Sequence, residues 1–518
     1  MDNINNTGNS VYKNNPPYNH PYNSAYSAPT NAGYWTPAPE APEVLDMREK
    51  IGRKLGLATL IYAIFSTFCL YNNLTGITMP FFGIATLVYM IYELKQYEVS
   101  IKKLSWFYAV ILLALTISNF LTGNATFHFF NNFGIILMLF IFLLHNVYDD
   151  SKWSFTKTAC AICEAFSLSI VALGDFGKDM SVVSERNKER RMFSDKKNPV
   201  RYIVIGLLIS IPVVAILLML LSAADAVFNN IMTSHFKTNF NIGTFFGILI
   251  TFAFIFLSSY CIMRFFSKKT INEEVKDHKN LEPIVAITVL SIISAIYVVF
   301  SLIQIIYLFL GGGSLPEGYS YSDYAREGFF QLLAVSIINF LMVIFVNSFF
   351  RNSRVLKVLM TIISLCTYIM IASSFVRIMM YIKACLLTEL RIWVVWGLTV
   401  LSLLFVAVII SIFNQKFPLF RYCIVVVSTL YVILGFMHID YIIADYDITN
   451  LSTIGEEISI QDMNYLAGLS TDAAPAIAKC IDDWADDYFD RNEYYYKNRN
   501  WRQFNLSAYT ADVLSQYR

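Results

Sequence analysis

The residues whose types could do chemistry are acids and arginines in four short segments. They are Asp225 in "LLSAADAVF", Asp323, Tyr324, Arg326 and Glu327 in "SDYAREGFF", Arg377, Glu389 and Arg391 in "RIMMYIKACLLTELR", and Asp440 and Asp445 in "DYIIADY". Opposite charges of this kind have two uses beside a membrane. Paired, they lower the cost of holding charge in a partly dry setting. Left open, they line a polar pocket or a docking surface. Asp323, Arg326 and Glu327 fall at i, i+3 and i+4, so they share one face of a helix's first turn. Asp323 is favourable there on dipole grounds alone, whereas Arg326 opposes the dipole and requires a partner.

Other chemistries have weaker support. The eight cysteines are scattered, and the C-x-x-C of Cys160 and Cys163 has no second pair or histidine at metal-ligand spacing. The six histidines lie at unrelated points, and no H-E-x-x-H, G-x-S-x-G or phosphate-loop pattern is present. "GGGSLPEG" follows an apolar run and reads as a turn. The expectation is a non-enzymatic protein with no cofactor, no metal and no nucleic-acid partner.

The elements that must position these charges are membrane helices. Of the 518 residues, 56% are hydrophobic and 15% charged, and the mean hydropathy is +0.51. That much apolar surface needs lipid as its solvent. Runs approaching the roughly 20 residues of a helical span lie near 55–72, 78–92, 104–122, 127–146, 202–221, 242–263, 284–310, 328–349, 358–376, 392–413 and 423–439. The fold class is therefore all-α, a polytopic bundle of about eleven spans. Lys and Arg accumulate in alternate loops, which predicts a cytoplasmic N terminus and an outer C terminus. The alternation survives if 155–174 does not cross, so this stretch is expected to lie in the interface with Phe155, Ala159, Ile162, Phe166 and Ile170 on one face. On this topology all the charged motifs named above converge near the outer interface.

The organisation that follows is a disordered Asn/Tyr/Pro-rich tail (1–47), a four-span module (48–147), a basic cytoplasmic segment (148–201), a seven-span module (202–440) and a small extracytoplasmic helical domain (441–518). In that last domain Ser459 with Asp462, and Ser470 with Asp472, have helix-cap spacing, and Leu466, Leu469, Ile477 and Ile481 can pair two helices.

"LLSAADAVF", "YSDYAREGFFQL", "LLTELRIWV" and the run "DYIIADYDI…DMNYLAGLSTDAAPAI…WRQFNLS" together resemble the bacterial integral-membrane family called domain of unknown function 4173, with its 4153 relatives, over residues from roughly 200 to 510. The resemblance implies a multi-pass protein of the bacterial plasma or inner membrane and carries over no catalytic residue. The expected function is an envelope scaffold or sensor with an outward polar surface, whose partners are membrane lipid and an extracytoplasmic protein or cell-wall ligand. The alternative is a transporter or lipid-handling protein with a pocket at the outer interface lined by Arg326, Glu327, Arg391 and Asp440.

Overall fold

The computed structural model describes residues 41–192, 242–274, 279–306, 328–454, 460–480, 483–497 and 499–517, with scattered single positions between 210 and 224. Among these residues the secondary structure is helical, apart from an isolated bridge between Leu281 and Phe350. Four helices come first: α1 (Pro42–Leu70), α2 (Thr78–Gln96), α3 (Ser105–Leu121) and α4 (Ala125–Val147). Next, α5 (Phe155–Val171) and α6 (Leu173–Met192) meet at a bend of 45°. The long helices α7 (Ile242–Lys268), α8 (Pro283–Gln304), α9 (Phe329–Phe349), α10 (Arg354–Cys385), α11 (Glu389–Phe413) and α12 (Leu419–Phe436) follow. Shorter helices end the chain: α13 (Ile439–Ile454), α14 (Ile460–Ala467), α15 (Ala474–Ile477), α16 (Asp483–Lys497) and α17 (Leu506–Gln516).

Among the described residues eight helices, α1, α4 and α7 to α12, are long and apolar enough to cross a membrane. Their outward faces are apolar as well: Phe254 is 72% exposed and Ile284 71%. A helix that is hydrophobic all round needs lipid on its outer side. This is a multi-pass α-helical membrane protein. The eight differ from the eleven expected for three reasons. Helix α2 carries Glu93 and Lys95 near its end, α3 is 17 residues long, and 202–221 falls, but for single positions, outside the described residues. Helix α1 already starts at Pro42, inside the stretch expected to be a disordered tail.

One end of the bundle is tied together by an acid. Asp179 of α6 has no exposed surface, and its carboxylate accepts from Arg48 of α1 at 2.8 Å, Arg264 Nε of α7 at 2.7 Å and the Tyr260 hydroxyl at 3.0 Å. Asp175, about one turn earlier, pairs with Lys268 at 2.6 Å. At the same end Asp150 joins α4 to α12, taking His145 Nδ1 at 2.9 Å and Arg421 at 2.7 Å. Sequence reasoning put the weight of 148–201 on its basic residues; in the fold three of its acids, Asp150, Asp175 and Asp179, do the anchoring. The bent pair begins where Phe155 packs on Phe420, passes Asp175 and Asp179 just after the bend, and ends where Arg186 and Arg190 pair with Asp46 and Glu49 of α1, so it starts and finishes at one end of the bundle. The face expected on α5 splits: Phe166 and Ile170 point outward, while Phe155 and Ile162 pack on core residues.

Between the ends, polar side chains are answered across helices. Asn339 accepts from the Tyr297 hydroxyl at 2.9 Å and donates to Thr367 at 3.0 Å, and Gln304 accepts from Ser373 at 2.6 Å. An amide in lipid surroundings requires such partners. Asp179→Ala would leave Arg48 and Arg264 buried without their shared carboxylate, a loss of about 3–5 kcal/mol. It should lower the unfolding midpoint of the detergent-solubilised protein well below that of a control at exposed Asp46, which pairs with Arg186.

Candidate functional site

At the other end of the bundle the C-terminal helices sit on the α1–α2 and α3–α4 turns. Asn505, buried, is the N-cap of α17: its side-chain oxygen accepts from the Ala508 amide at 3.1 Å. Its amide nitrogen donates to three carbonyls, those of Thr75 at 3.1 Å, Asn119 at 3.3 Å and Thr122 at 2.9 Å. Asp472, equally buried, accepts from the Gly123 amide at 2.9 Å and from the Thr122 hydroxyl, and lies 3.5 Å from His438 Nδ1. On the first turn Asn73 donates to the Arg502 carbonyl at 2.8 Å. Two glycines make the approach close enough. A Cβ on Gly76 would overlap the Arg502 carbonyl oxygen, and one on Gly123 would overlap Thr471 Oγ1. Beneath this dock a polar ladder enters the bundle, where Asn131 bonds Ser118 at 3.1 Å, Asn119 at 3.0 Å and the Tyr431 hydroxyl at 2.9 Å.

The dock borders a half-open cavity of about 630 Å³. Its floor is the helix ends at Asn124, Thr126, Glu389 and Asp440, and its roof is Asn464, Tyr465, Ser470, Asn492 and Arg499. Asp440 is buried. One of its oxygens takes Asn124 Nδ2 at 3.0 Å and the Ser470 amide at 3.2 Å, and the other has no hydrogen-bond partner among the described residues. A cavity with amides, hydroxyls, two acids and a guanidinium on its walls suits reversible binding of a small polar group.

The expected site residues divide. Asp225, Asp323, Tyr324, Arg326 and Glu327 lie outside the described residues. Glu389 and Asp440 line the cavity. Arg391 does not: it donates to the Cys385 and Leu386 carbonyls at the C-terminal end of α10 and lies 4.2 Å from the centre of the Tyr381 ring. A cation there answers the carbonyls a helix end leaves unpaired. The adjoining turn is held by Asp447, which accepts from the Leu387 amide at 2.8 Å, and by the Tyr465 hydroxyl, which accepts from the Glu389 amide at 2.9 Å. Arg377 is buried against Gly328. Asp445 makes an exposed pair with Lys479 at 3.0 Å, of the kind that contributes little. Asn505, Asp472, Asn124 and Arg499 were missed as site residues, although "GLSTDAAPAI" and "WRQFNLS" carry two of them and Ser470/Asp472 had been read as a cap. The cap is real: the Ser470 side chain accepts from the Asp472 amide at 3.3 Å.

The titration of the dock follows from its packing. Burial pushes the Asp440 carboxyl up to about 6 against the hydrogen bonds from Ser470 and Asn124, and burial likewise pushes Asp447 to about 7. The hydrogen bond to Asp472 holds His438 above its usual value. Asp472 is opposed by burial, yet the bonds from His438, Ser507 and Thr122 keep it below the usual carboxylate range. Raised carboxyls take up protons on folding, so stability is lost as pH rises from about 4 through their folded values. The His438 contribution is present below about 6.5 and is also lost on raising the pH. The Asp472 contribution is lost only below about 4, outside that window.

The fold and site define a class, an all-helical multi-pass membrane protein with a C-terminal helical cap over a polar cavity. The family described as domain of unknown function DUF4153 matches residues 107–480, most of the chain, and the chain belongs to that family. The match is to the 4153 relative and not to 4173, and it begins in α3, well before the residues that carried the resemblance. No curated protein and no solved structure matches the chain.

Protection factors across residues 500–508, with the intrinsic base-catalysed rate divided out, should be higher at about pH 5 than at about pH 8, and Asp440→Asn should remove part of that difference. Equal protection of the wild-type dock at both pH values would contradict the titration described. Asn505→Ala orphans three carbonyls and a helix cap, a cost of about 1–3 kcal/mol. Limited proteolysis should cut the C-terminal helices faster in this variant, and in Gly123→Ala, than in the wild type.

Proposed function

We propose that this chain is a non-catalytic sensor or scaffold of the bacterial cell envelope, which binds a small polar ligand or a partner's polar segment in the cavity under its C-terminal cap. The observation that carries this reading is the cavity itself: Asp440 and Arg499 lie in one enclosure with amide and hydroxyl groups, and the roof is a separate set of helices that ligand binding can hold down. Its polar groups are suited to hydrogen bonding an occupant, and the reading assigns no nucleophile.

The proposal includes an eleven-span topology with the N terminus inside and the cap outside, the membrane being the bacterial plasma or inner membrane. It is supported by the alternation of Lys and Arg between loops. It is supported too by side-chain contacts that gather one set of helix ends around Asp179 and Asp150 and the other around Asp472. In this reading α5 and α6 stay on the cytoplasmic side, since the start of α5 packs on Phe420, the bend pairs with Lys268, and the end of α6 pairs through Arg186 and Arg190 with the start of α1.

An alkaline-phosphatase fusion after Arg518 should be active and one within 185–197 inactive; the reverse pattern would sink the topology. For the cavity, a photocrosslinking amino acid at Asn464 should capture an adduct in cells that a lipid-facing control at Phe254 does not. Arg499→Gln should reduce that adduct about tenfold, the loss of one charge-assisted hydrogen bond. Identical adducts at both positions would count against a ligand in the cavity.

A further inference from the structure

At the capped end of the bundle, away from the cavity, α1 and α7 flank an outward groove of about 490 Å³. Its walls are Ile64 and Phe68 of α1, Tyr71 just after it, and Ile248, Leu249 and Phe252 of α7. From Ile64 to Tyr71 the lining runs over seven residue steps, a depth of about 10 Å at the helical rise. These walls are aliphatic or aromatic and face away from the core, Ile64 being 58% and Leu249 48% exposed. The Tyr71 ring reaches across to α7 because residue 247 is glycine: a Cβ there would lie 2.8 Å from the tyrosine oxygen.

The top of the groove carries a cation. Arg502, from the C-terminal segment, lines it, donates one N–H to the Phe68 carbonyl at 2.7 Å and stands 5.5 Å from the centre of the Phe68 ring. Among the described residues no carboxylate pairs with it, so the rest of its fork of donors is available. Trp501, 69% exposed, lies beside the same Phe68 ring at 5.9 Å. Aromatic rings and an arginine at the end of a membrane-length helix mark the headgroup level. An apolar groove running from that level into the bilayer is at acyl-chain depth.

We infer that this groove binds one membrane phospholipid, with an acyl chain between α1 and α7 and the phosphodiester against Arg502. Charge and shape both select this occupant: a phosphodiester offers two oxygens to a guanidinium, and the chain matches walls that offer almost no polar group. The lipid then spans the bundle and the cap, since α1 and α7 belong to one and Arg502 to the other. This inference is independent of the cavity reading.

The test uses the full chain, purified in mild detergent, delipidated and incubated with dioleoylphosphatidylglycerol, with bound lipid counted by native mass spectrometry. The wild type should retain lipid at one site. Arg502→Gln should lower occupancy about tenfold, the loss of a charge-assisted bond. Leu249→Trp, which fills the groove without touching the cap, should lower it as well. Phosphatidylethanolamine, with the same phosphodiester, should compete, and glycerol 3-phosphate, which has no chain, should not. Wild-type protein that retains no lipid overturns the inference, as does a groove variant with wild-type occupancy. Undiminished binding by Arg502→Gln, or failure of phosphatidylethanolamine to compete, overturns the phosphate assignment. Displacement by glycerol 3-phosphate overturns the role of the chain.

Discussion

Asp472 is a carboxylate with almost no contact with solvent, and the capped end of the molecule depends on how it is satisfied. A buried charge is tolerated only when its oxygens are hydrogen-bonded and a cation is near. Its partners are the Thr122 hydroxyl, the Gly123 amide and His438, which come from two turns far apart in the chain. The C-terminal helices therefore have one seat on the bundle. His438 takes a left-handed backbone angle, φ 50°, at the joint between α12 and α13, where the chain turns toward that seat. The cavity, its roof and the burial of Asp440 all follow from this placement.

The opposite end works by the same rule with different residues. Asp179 gathers Arg48, Arg264 and Tyr260 from α1 and α7, and removing the acid would leave two guanidinium groups facing each other. Lipid supplies no hydrogen-bond partners, so polar networks collect at the two ends, and amide side chains between them pair across helices. The Asn339 and Gln304 contacts are of that paired kind. The cavity at the capped end is where open polar groups gather.

Much of the fold was legible in the residues. Run lengths identified the long helices. The Ser470 cap and the packing of Leu466, Leu469 and Ile477 could be read from spacing, and all three apolar residues are buried. The site was legible only in part. Asp440 and Glu389 reach the cavity, whereas Arg391, equally a charge beside an apolar run in one dimension, is used on a helix end. Asn505 was passed over because one asparagine before "LSAY" signals a helix cap and nothing about three carbonyls more than 380 residues away.

The sequence by itself determined the solvent of this protein and its helical class, because apolar run length and the placement of charge at run ends are local properties that the bilayer reads one segment at a time. Only the tertiary structure decided which polar groups meet: Asp472 with Thr122, Asp179 with Arg264, Asp440 with Asn124, and Arg502 at the mouth of an apolar groove. Those pairings depend on how helices distant in the chain pack side by side, and side-chain type at a position does not encode the neighbour it will have.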